Sequence, residues 1–178
     1  MQDILQREHP ILRETAKTVP VNEIKSEKII KIIKDMSKAM ATQKDGIAIA
    51  APQIGINLRI FVVSGLLLKE VDKSFKGDGS DLVFINPEII KMSKEKKDAE
   101  EGCLSVRWLY GKVRRASRTT IIAYNENGQK IERGASGVLA QVFQHEIDHL
   151  NGILFIDKAK EVWEMTEEEI QNMQKKSA

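Results

Sequence analysis

The chain of 178 residues is long enough for one domain with a hydrophobic core and short for two. Hydrophobic residues make up 42% of it and charged residues 30%, which is typical of a folded protein. With 28 basic against 26 acidic residues, the net charge of +2 argues against a protein that binds nucleic acid through its phosphates. No apolar run approaches the roughly 18 residues that a membrane-spanning helix requires.

The single cysteine, Cys103, bears on the compartment, because one cysteine forms no intramolecular disulfide. A reducing compartment is therefore the natural interpretation. Residues 1–10 also lack the basic start, the apolar run and the small-residue cleavage site of a signal peptide. We expect a cytoplasmic protein.

The first part of the chain contains one strong helix signal among irregular segments. Residues 1–20 carry prolines between short apolar pieces and are predicted to form an irregular arm. From Ser26, isoleucines and methionines recur at helical spacing and predict a helix of about 18 residues, which Asp45-Gly46 ends. Residues 58–63 then predict a buried strand.

The middle of the chain is predicted to consist of strands and loops. Residues 69–81 are polar, contain glycine and predict a loop. Residues 82–90 predict a strand whose central proline indicates an edge or a bend. The basic segment 112–118 is interpreted as a solvated strand edge. Asn127-Gly128 is the signal of a two-residue hairpin turn.

Two further helices are predicted in the last third of the chain. Ser136 is suited to cap the first of them, and Gly152 ends it. Its apolar positions indicate burial and are Val138, Leu139, Val142, Phe143 and Leu150. Thr166 and Glu169 form the pattern of a capping box, which opens a short polar helix in the tail of about residues 160–178. The pattern indicates a single α+β catalytic domain over residues 1–178, with short, mostly antiparallel strands around a central helix.

The segment QVFQHEIDHLNG, residues 141–152, gives this central helix a metal-binding pattern. His145 and His149 share one helical face about 6 Å apart along the axis, within reach of one cation. Glu146 is turned about 100° from His145, so it can contact a bound water without being a ligand. The spacing suits a metal with an adjacent general base. The alternative is a core helix with incidental polar residues, which needs hydrogen-bonding partners for all three.

A third ligand has to come from another part of the chain. His9 lies in the irregular arm and is expected at the surface. Cys103 follows a glycine that permits close backbone approach, although a lone cysteine is more often a small buried hydrophobe. One thiolate and two imidazoles leave a position open for water, so Cys103 is the best candidate. The small residues of 46–55 predict either tight packing or a surface that a ligand approaches, with the Gln53 amide as a donor.

Three segments together resemble the peptide deformylases. GIAIAAPQ, EGCLS and QHEIDHLNG follow one another in that family in the same order and at comparable separations, and HPILRETAKTV, residues 9–19, is similar to the family's N-terminal arm. The resemblance extends over nearly the whole chain. It implies a metal-dependent amide hydrolase that removes the formyl group from the N-terminal methionine of new bacterial polypeptides.

The resemblance also implies the metal ligands and the base. Cys103, His145 and His149 would bind one divalent metal ion, and Glu146 would be the general base and then the general acid. In this family the physiological metal is usually Fe²⁺, and Zn²⁺, Ni²⁺ or Co²⁺ also occupy the site. Thiolate and imidazole ligands suit both iron and zinc, so the sequence does not choose between them.

Oxyanion donors and a substrate site follow from the same resemblance. The side-chain amide of Gln53 and the backbone N–H of Leu104 would stabilise the tetrahedral oxyanion. The substrate would lie extended along the GIAIA segment as an added strand, with the methionine side chain in an apolar pocket. The expected substrate-binding residues are Gly46, Ile47, Ala48, Val138 and Val142.

The chain departs from the family pattern beside the expected cleft. Ala48 stands where the family ordinarily has a second glycine, and residues 106–111 replace the Pro-Gly that often follows EGCLS. Trp108, in that segment, either lines the cleft or has an ordinary packing role. Glu101 and Arg115 are expected to pair in support of the site.

Two other functions remain open at this point. Another metallopeptidase of the H-E-x-x-H type would need a third ligand of its own. A catalytically altered homologue would bind formylated peptides without turnover, although it would have no need of Glu146. The expected partner is an N-formylmethionyl peptide, with no membrane and no sequence-specific nucleic acid. The C-terminal tail either contacts the ribosome near the tunnel exit or is a solvated helix.

Overall fold

The computed structural model describes residues 3–43, 45–73 and 75–175. The α-helices are α1 (Glu27–Ala41), α2 (Gly65–Val71), α3 (Gly137–Leu150) and α4 (Glu167–Lys175). The strands are β1 (Ala48–Ala50), β2 (Ile60–Val63), β3 (Leu82–Met92), β4 (Lys96–Gly102), β5 (Leu109–Ala116), β6 (Arg118–Tyr124), β7 (Lys130–Ser136) and β8 (Glu161–Glu164). No helix in these ranges is long and apolar enough to cross a membrane.

The strands form two antiparallel sheets. The larger sheet has the order β1-β2-β3-β6-β7, and the smaller one has the order β4-β5-β8. Every pair between these named strands is antiparallel. Because β1 is the first strand of the larger sheet, one of its edges has no strand partner in the described chain. The predicted α+β class with mostly antiparallel strands is confirmed.

The larger sheet has a helix on each face. Successive side chains of a strand point to opposite faces, so an apolar strand such as β2 offers apolar side chains to both helices. Ile60 and Val62 of β2 pack in one apolar cluster with α1. Phe61 and Val63 point to the other face and pack in a second cluster with α3. On that face the rings of Phe61 and Phe84 are stacked, and Phe143 of α3 lies edge-on to Phe84 at a centroid distance of 5.1 Å. Helix α3 is therefore central, as its apolar positions predict.

Local sequence signals define the ends of α1 and α4. The Ser26 hydroxyl accepts a hydrogen bond from the Ile29 N–H at 3.3 Å, and α1 ends at Ala41, a few residues before the predicted stop. The capping box at α4 is confirmed, because Thr166 Oγ1 accepts from the Glu169 N–H and the Glu169 carboxylate accepts from the Thr166 N–H.

Three local predictions were wrong in detail. The loop expected from residue 69 starts later, since α2 continues to Val71 and is too short to show a helical period. The β6–β7 connection has five residues, 125–129, because the Asn125 side chain accepts bonds from two backbone N–H groups and widens the turn. Ser136 precedes α3 without capping it, since its side chain makes no capping hydrogen bond.

Of the two alternatives for β3, an edge or a bend, the bend is confirmed, whereas β5 is not the edge that the sequence predicts. Strand β3 lies between β2 and β6, and Pro87 falls where the β3–β6 register shifts, so its missing N–H interrupts no ladder bond there. Asn86, with φ of 51°, makes the bend. Strand β5 lies between β4 and β8, so 112–118 is not a sheet edge. Alternation along β5 leaves Arg114 exposed and buries Arg115.

The N-terminal arm is attached to the parts of the fold that carry the site. The Leu5 N–H donates to the Gln53 carbonyl at 2.8 Å, and the Ala16 N–H donates to the Leu150 carbonyl at the end of α3 at 2.9 Å. The Gln6 side chain donates to the Leu104 carbonyl at 3.1 Å. The arm thus contacts the segment of Gln53, the end of α3 and the segment that follows Cys103.

Candidate metal and catalytic site

Helix α3 carries His145, Glu146 and His149 within little more than one helical turn. His149 is 1% exposed and Glu146 is 3% exposed, so neither is a solvated surface residue. His145 is partly buried, and its ring centroid lies 5.0 Å from that of His149. The i, i+4 spacing therefore directs both imidazoles to one place, as the sequence predicts.

Cys103 completes a group of three ligand atoms. It follows β4 and places its Sγ 3.1 Å from Nε2 of His149. One potential ligand atom from each of Cys103, His145 and His149 lies within 4.8 Å of the others. A thiol and two imidazoles at such spacing fit a single divalent cation, since each ligand needs to approach it to little more than 2 Å.

A buried ionic cluster orients the first histidine. Nδ1 of His145 lies 2.9 Å from Oε2 of Glu101, so the Nδ1–H group donates to the carboxylate. The other ring nitrogen, Nε2, is left available as a metal ligand. Arg115 donates to both Glu101 oxygens at 2.7 and 2.9 Å, which confirms the predicted pair. Arg115 also donates to Asp148 at 2.6 Å, and Lys158 donates to the same carboxylate at 2.6 Å. We call Glu101, Arg115, His145 and Asp148 the buried ionic cluster; Lys158 reaches it from the surface, with its side chain 42% exposed.

The cluster and the burial of the site change several pKa values. Burial pushes the pKa of Glu101 upward, but hydrogen bonds from Arg115 and His145 outweigh it and lower that pKa to about 2. Burial opposes the charge on His145, but hydrogen bonds with Cys103 and Glu101 raise its pKa well above the usual value. For His149, burial and the neighbouring His145 charge lower the pKa well below the usual value. His149 is therefore a neutral imidazole, the form that binds a metal.

Glu146 is the carboxylate of the site that lacks a fixed partner. Burial raises its pKa to about 7, against the opposing effect of the His145 charge. Its Oε2 is buried and has no hydrogen-bond partner in the described part of the chain. A carboxylate that gains and loses a proton near neutral pH is suited to general acid–base chemistry.

Gln53 and Leu104 lie beside the cysteine. Oε1 of Gln53 accepts from the Ala50 N–H at 2.7 Å, which directs the amide nitrogen toward Ser105 Oγ at 3.1 Å and Cys103 Sγ at 3.6 Å. The backbone N–H of Leu104 donates to no acceptor within residues 3–43, 45–73 and 75–175. Two donors therefore stand next to the ligand group, where an oxyanion would need them.

A cavity of about 450 Å³ opens onto this group. Its wall includes Cys103, Leu104, Gln53, His145 and Glu146. All of the expected substrate-binding residues line it, namely Gly46, Ile47, Ala48, Val138 and Val142. The cavity thus adjoins both the ligand group and the unpaired edge of β1.

Sequence reasoning missed several residues of the wall, including Asp45, Val71 and Gln141. Tyr110, in the segment 106–111 that the sequence places beside the cleft, does line the cavity. For Tyr110 a signal was present at Gly102, since a Cβ added there would lie 2.6 Å from the Tyr110 ring. The glycine before the cysteine therefore makes room for an aromatic side chain. Trp108 is not part of the wall and instead lies under the Arg107 guanidinium.

Fold and site together define the class of metal-dependent hydrolases: a Cys/His/His group, an adjacent unpaired carboxylate and two hydrogen-bond donors in an α+β domain. A family model, described as polypeptide deformylase, matches residues 1–164. The chain belongs to the polypeptide deformylase family. Membership confirms the resemblance in the sequence and the expected enzyme class, and it is consistent with removal of N-formyl groups from nascent polypeptides.

Curated relatives agree with this assignment. A peptide deformylase of Halothermothrix orenii is 46% identical over 156 residues, which are 87% of this chain and 91% of the relative. One from Pseudothermotoga lettingae is 45% identical over 148 residues, which are 83% and 77% of the two chains.

Solved structures show the same fold. The crystal structure of peptide deformylase from Thermotoga maritima has a TM-score of 0.78 and 35% identity and covers 90% of this chain and 99% of its own. A Met-Ala-Ser-bound class I type b peptide deformylase from Acinetobacter baumannii has a TM-score of 0.79 and 34% identity, with 87% and 96% covered.

Proposed function

We propose that this protein hydrolyses the formyl amide of N-formylmethionyl peptides with one divalent cation held by Cys103, His145 and His149. The observation that carries the proposal is the convergence of these three ligand atoms within 4.8 Å at the wall of a cavity. When bound, the cation supplies a Lewis acid that activates water and polarises a carbonyl group. We propose Fe²⁺ as the native ion, because thiolate and imidazole suit it, and the same ligands accept Zn²⁺, Ni²⁺ or Co²⁺.

Glu146 moves the protons in this proposal. Its unpartnered Oε2 takes a proton from the attacking water and later gives it to the departing methionine nitrogen. The Gln53 amide and the Leu104 N–H stabilise the negative charge on the formyl oxygen. Both donors are held before the substrate arrives, since Gln53 is fixed through Ala50 and the Leu104 segment is bonded to Gln6.

The substrate lies along the unpaired edge of β1. An extended peptide that adds to this edge pairs with backbone groups of Ala48 and runs past Ile47 and Gly46 through the cavity. The methionine side chain then contacts Val138 and Val142 on α3. The Met-Ala-Ser peptide bound to the Acinetobacter baumannii relative supports a peptide of this kind as the ligand.

Location follows from the substrate. Formylated nascent chains emerge where bacterial ribosomes work, so we propose action in the cytoplasm. Contact between the C-terminal tail and the ribosome stays a prediction, and the last three residues of that tail, 176–178, lie outside the described residues.

The experiment is turnover of formyl-Met-Ala-Ser by anaerobically purified protein, with metal content determined on the same sample. We expect activity with about one metal ion per chain and loss of both in Cys103→Ala. A folded protein that binds no metal would contradict the proposed site. A metal-loaded protein without turnover would support the altered homologue that binds formylated peptides.

A further inference from the structure

An ion pair stands at the end of the cavity where the chain enters β1. Arg107 donates to both carboxylate oxygens of Asp45, at 2.5 and 3.0 Å, and its Nη2 also donates to Gln43 Oε1 at 3.0 Å. The side chains of Arg107 and Asp45 are 18% and 27% exposed. A bidentate, partly buried pair is held more strongly than an ordinary surface ion pair. We call it the Asp45–Arg107 bridge.

The bridge joins the segment before β1 to the turn that follows Cys103. Asp45 lines the cavity and immediately precedes Gly46, whereas Arg107 is in the turn that follows Cys103. Arg107 is fixed in two further ways. Its guanidinium carbon lies 4.6 Å from the Trp108 ring centroid, and its backbone N–H donates to Gln6 Oε1 at 3.4 Å.

Both charges of the bridge act on Tyr110, a residue of the cavity wall. Burial raises the pKa of the cavity residue Tyr110, and Asp45 raises it further while Arg107 opposes it. The wall has three other carboxylates. Glu101 is neutralised by Arg115, Glu100 is exposed on β4, and Glu146 lies on α3 beside the ligand group. The electrostatic effect of Asp45 on a ligand in the cavity therefore depends on whether Arg107 neutralises its charge.

We propose that the Asp45–Arg107 bridge sets the charge tolerance of the enzyme for the residues that follow formylmethionine. This inference rests on the proposed function. A peptide that pairs with β1 and continues past Ala48 meets Gly46 and then Asp45, within two or three residues of the methionine. Because Arg107 neutralises Asp45, acidic, neutral and basic residues are accepted there. Without Arg107 the carboxylate favours basic residues, and without Asp45 the guanidinium favours acidic ones.

The test compares three amidated peptides: formyl-Met-Ser-Ser, formyl-Met-Lys-Lys and formyl-Met-Asp-Asp. For the metal-loaded wild type we expect the kcat/KM of formyl-Met-Lys-Lys divided by that of formyl-Met-Asp-Asp to lie within about fivefold of one. Glu100 is present in every variant, so its effect on this ratio is the same in all of them. Arg107→Met should raise this ratio about tenfold, and Asp45→Asn should lower it about tenfold. Both shifts should come from changes in KM, and both should become smaller at high salt. The double variant should return to the wild-type ratio.

Two controls separate charge from structure. Arg107→Lys keeps the charge and should keep the wild-type ratio, and Arg114→Met removes an exposed arginine of β5 and should leave it unchanged. Equal losses on all three peptides in Arg107→Met and Asp45→Asn would mean that the bridge is only structural and would overturn the inference. Absence of turnover of formyl-Met-Ser-Ser by the wild type would overturn the proposed function, and this inference with it.

Discussion

The two sides of helix α3 are held in different ways. Against the larger sheet, Val142, Phe143 and Leu150 pack in an apolar cluster that needs only matching volume. Against the smaller sheet, His145 and Asp148 enter the buried ionic cluster, where each charged atom has an assigned partner. Apolar contacts tolerate substitution of similar volume, whereas a buried ionic cluster fails when one partner is removed. We therefore expect stability to depend on both sides and ligand orientation mainly on the ionic one.

The largest effect should come from the arginine at the centre of the cluster. Arg115→Met leaves Glu101 and Asp148 buried without their main partner, which should lower the free energy of unfolding by about 3–5 kcal/mol. Glu101, which accepts the hydrogen bond of His145, loses the guanidinium that fixes it, so metal affinity should fall as well. Chemical denaturation and metal titration of the purified variant measure the two effects.

Arg114→Met is the matched control for this prediction. Arg114 is the preceding residue of the same strand, and its contact with Asp98 is exposed and 3.5 Å long. It should change the stability by less than about 1 kcal/mol and leave metal affinity unchanged. Equal effects of the two substitutions would contradict the special role of the cluster.

The second-largest effect should be the contribution of Glu101 to the pH dependence of stability. Its pKa is about 2 in the folded protein and 4.5 ordinarily, so the folded state favours the ionised carboxylate. The stability from this group is present above pH 4.5 and is lost as the pH falls toward 2. Between pH 5 and pH 3 the metal-free protein should lose about 2 kcal/mol through it. Denaturation of wild type and Glu101→Gln across this range should give a steeper pH dependence for the wild type; parallel curves would contradict the assignment.

The smallest effect is expected on the apolar side. Phe143→Leu alters the packing against Phe61 and Phe84 and should cost about 1–1.5 kcal/mol of stability. Because no cluster residue loses a partner, metal content and kcat should stay at the wild-type level. Loss of metal in Phe143→Leu would show that the apolar side also positions the ligands.

These differences also explain how far the sequence predicts the molecule. Helical periodicity predicts α1 and α3, and the Thr166–Glu169 capping box predicts α4, because those signals are local. The proposed ligand set comes from motifs, and the structure brings one potential ligand atom from each of His145, His149 and Cys103 within 4.8 Å of the others. The fold class follows from the same elements and from the family resemblance.

Other features depend on contacts that no local pattern encodes. Asp148 looks like an ordinary polar residue of the helix, and its partner Arg115 lies 33 positions away on β5. The Asp45–Arg107 bridge spans 62 positions and depends on how two loops meet. The order of the strands in each sheet decides whether β3 and β5 are edges, and the segments that cover them come from distant parts of the chain.

Glu146→Gln tests the central claim most directly, with metal content and turnover of formyl-Met-Ala-Ser measured on one anaerobic preparation. We predict about one metal ion per chain, as in the wild type, and a kcat lower by about 10²–10⁴-fold. Glu100→Gln, at an exposed carboxylate of the same cavity, should keep most of the activity. Wild-type turnover in Glu146→Gln, or loss of its metal, would contradict the assignment of Glu146 as a base that is not a ligand.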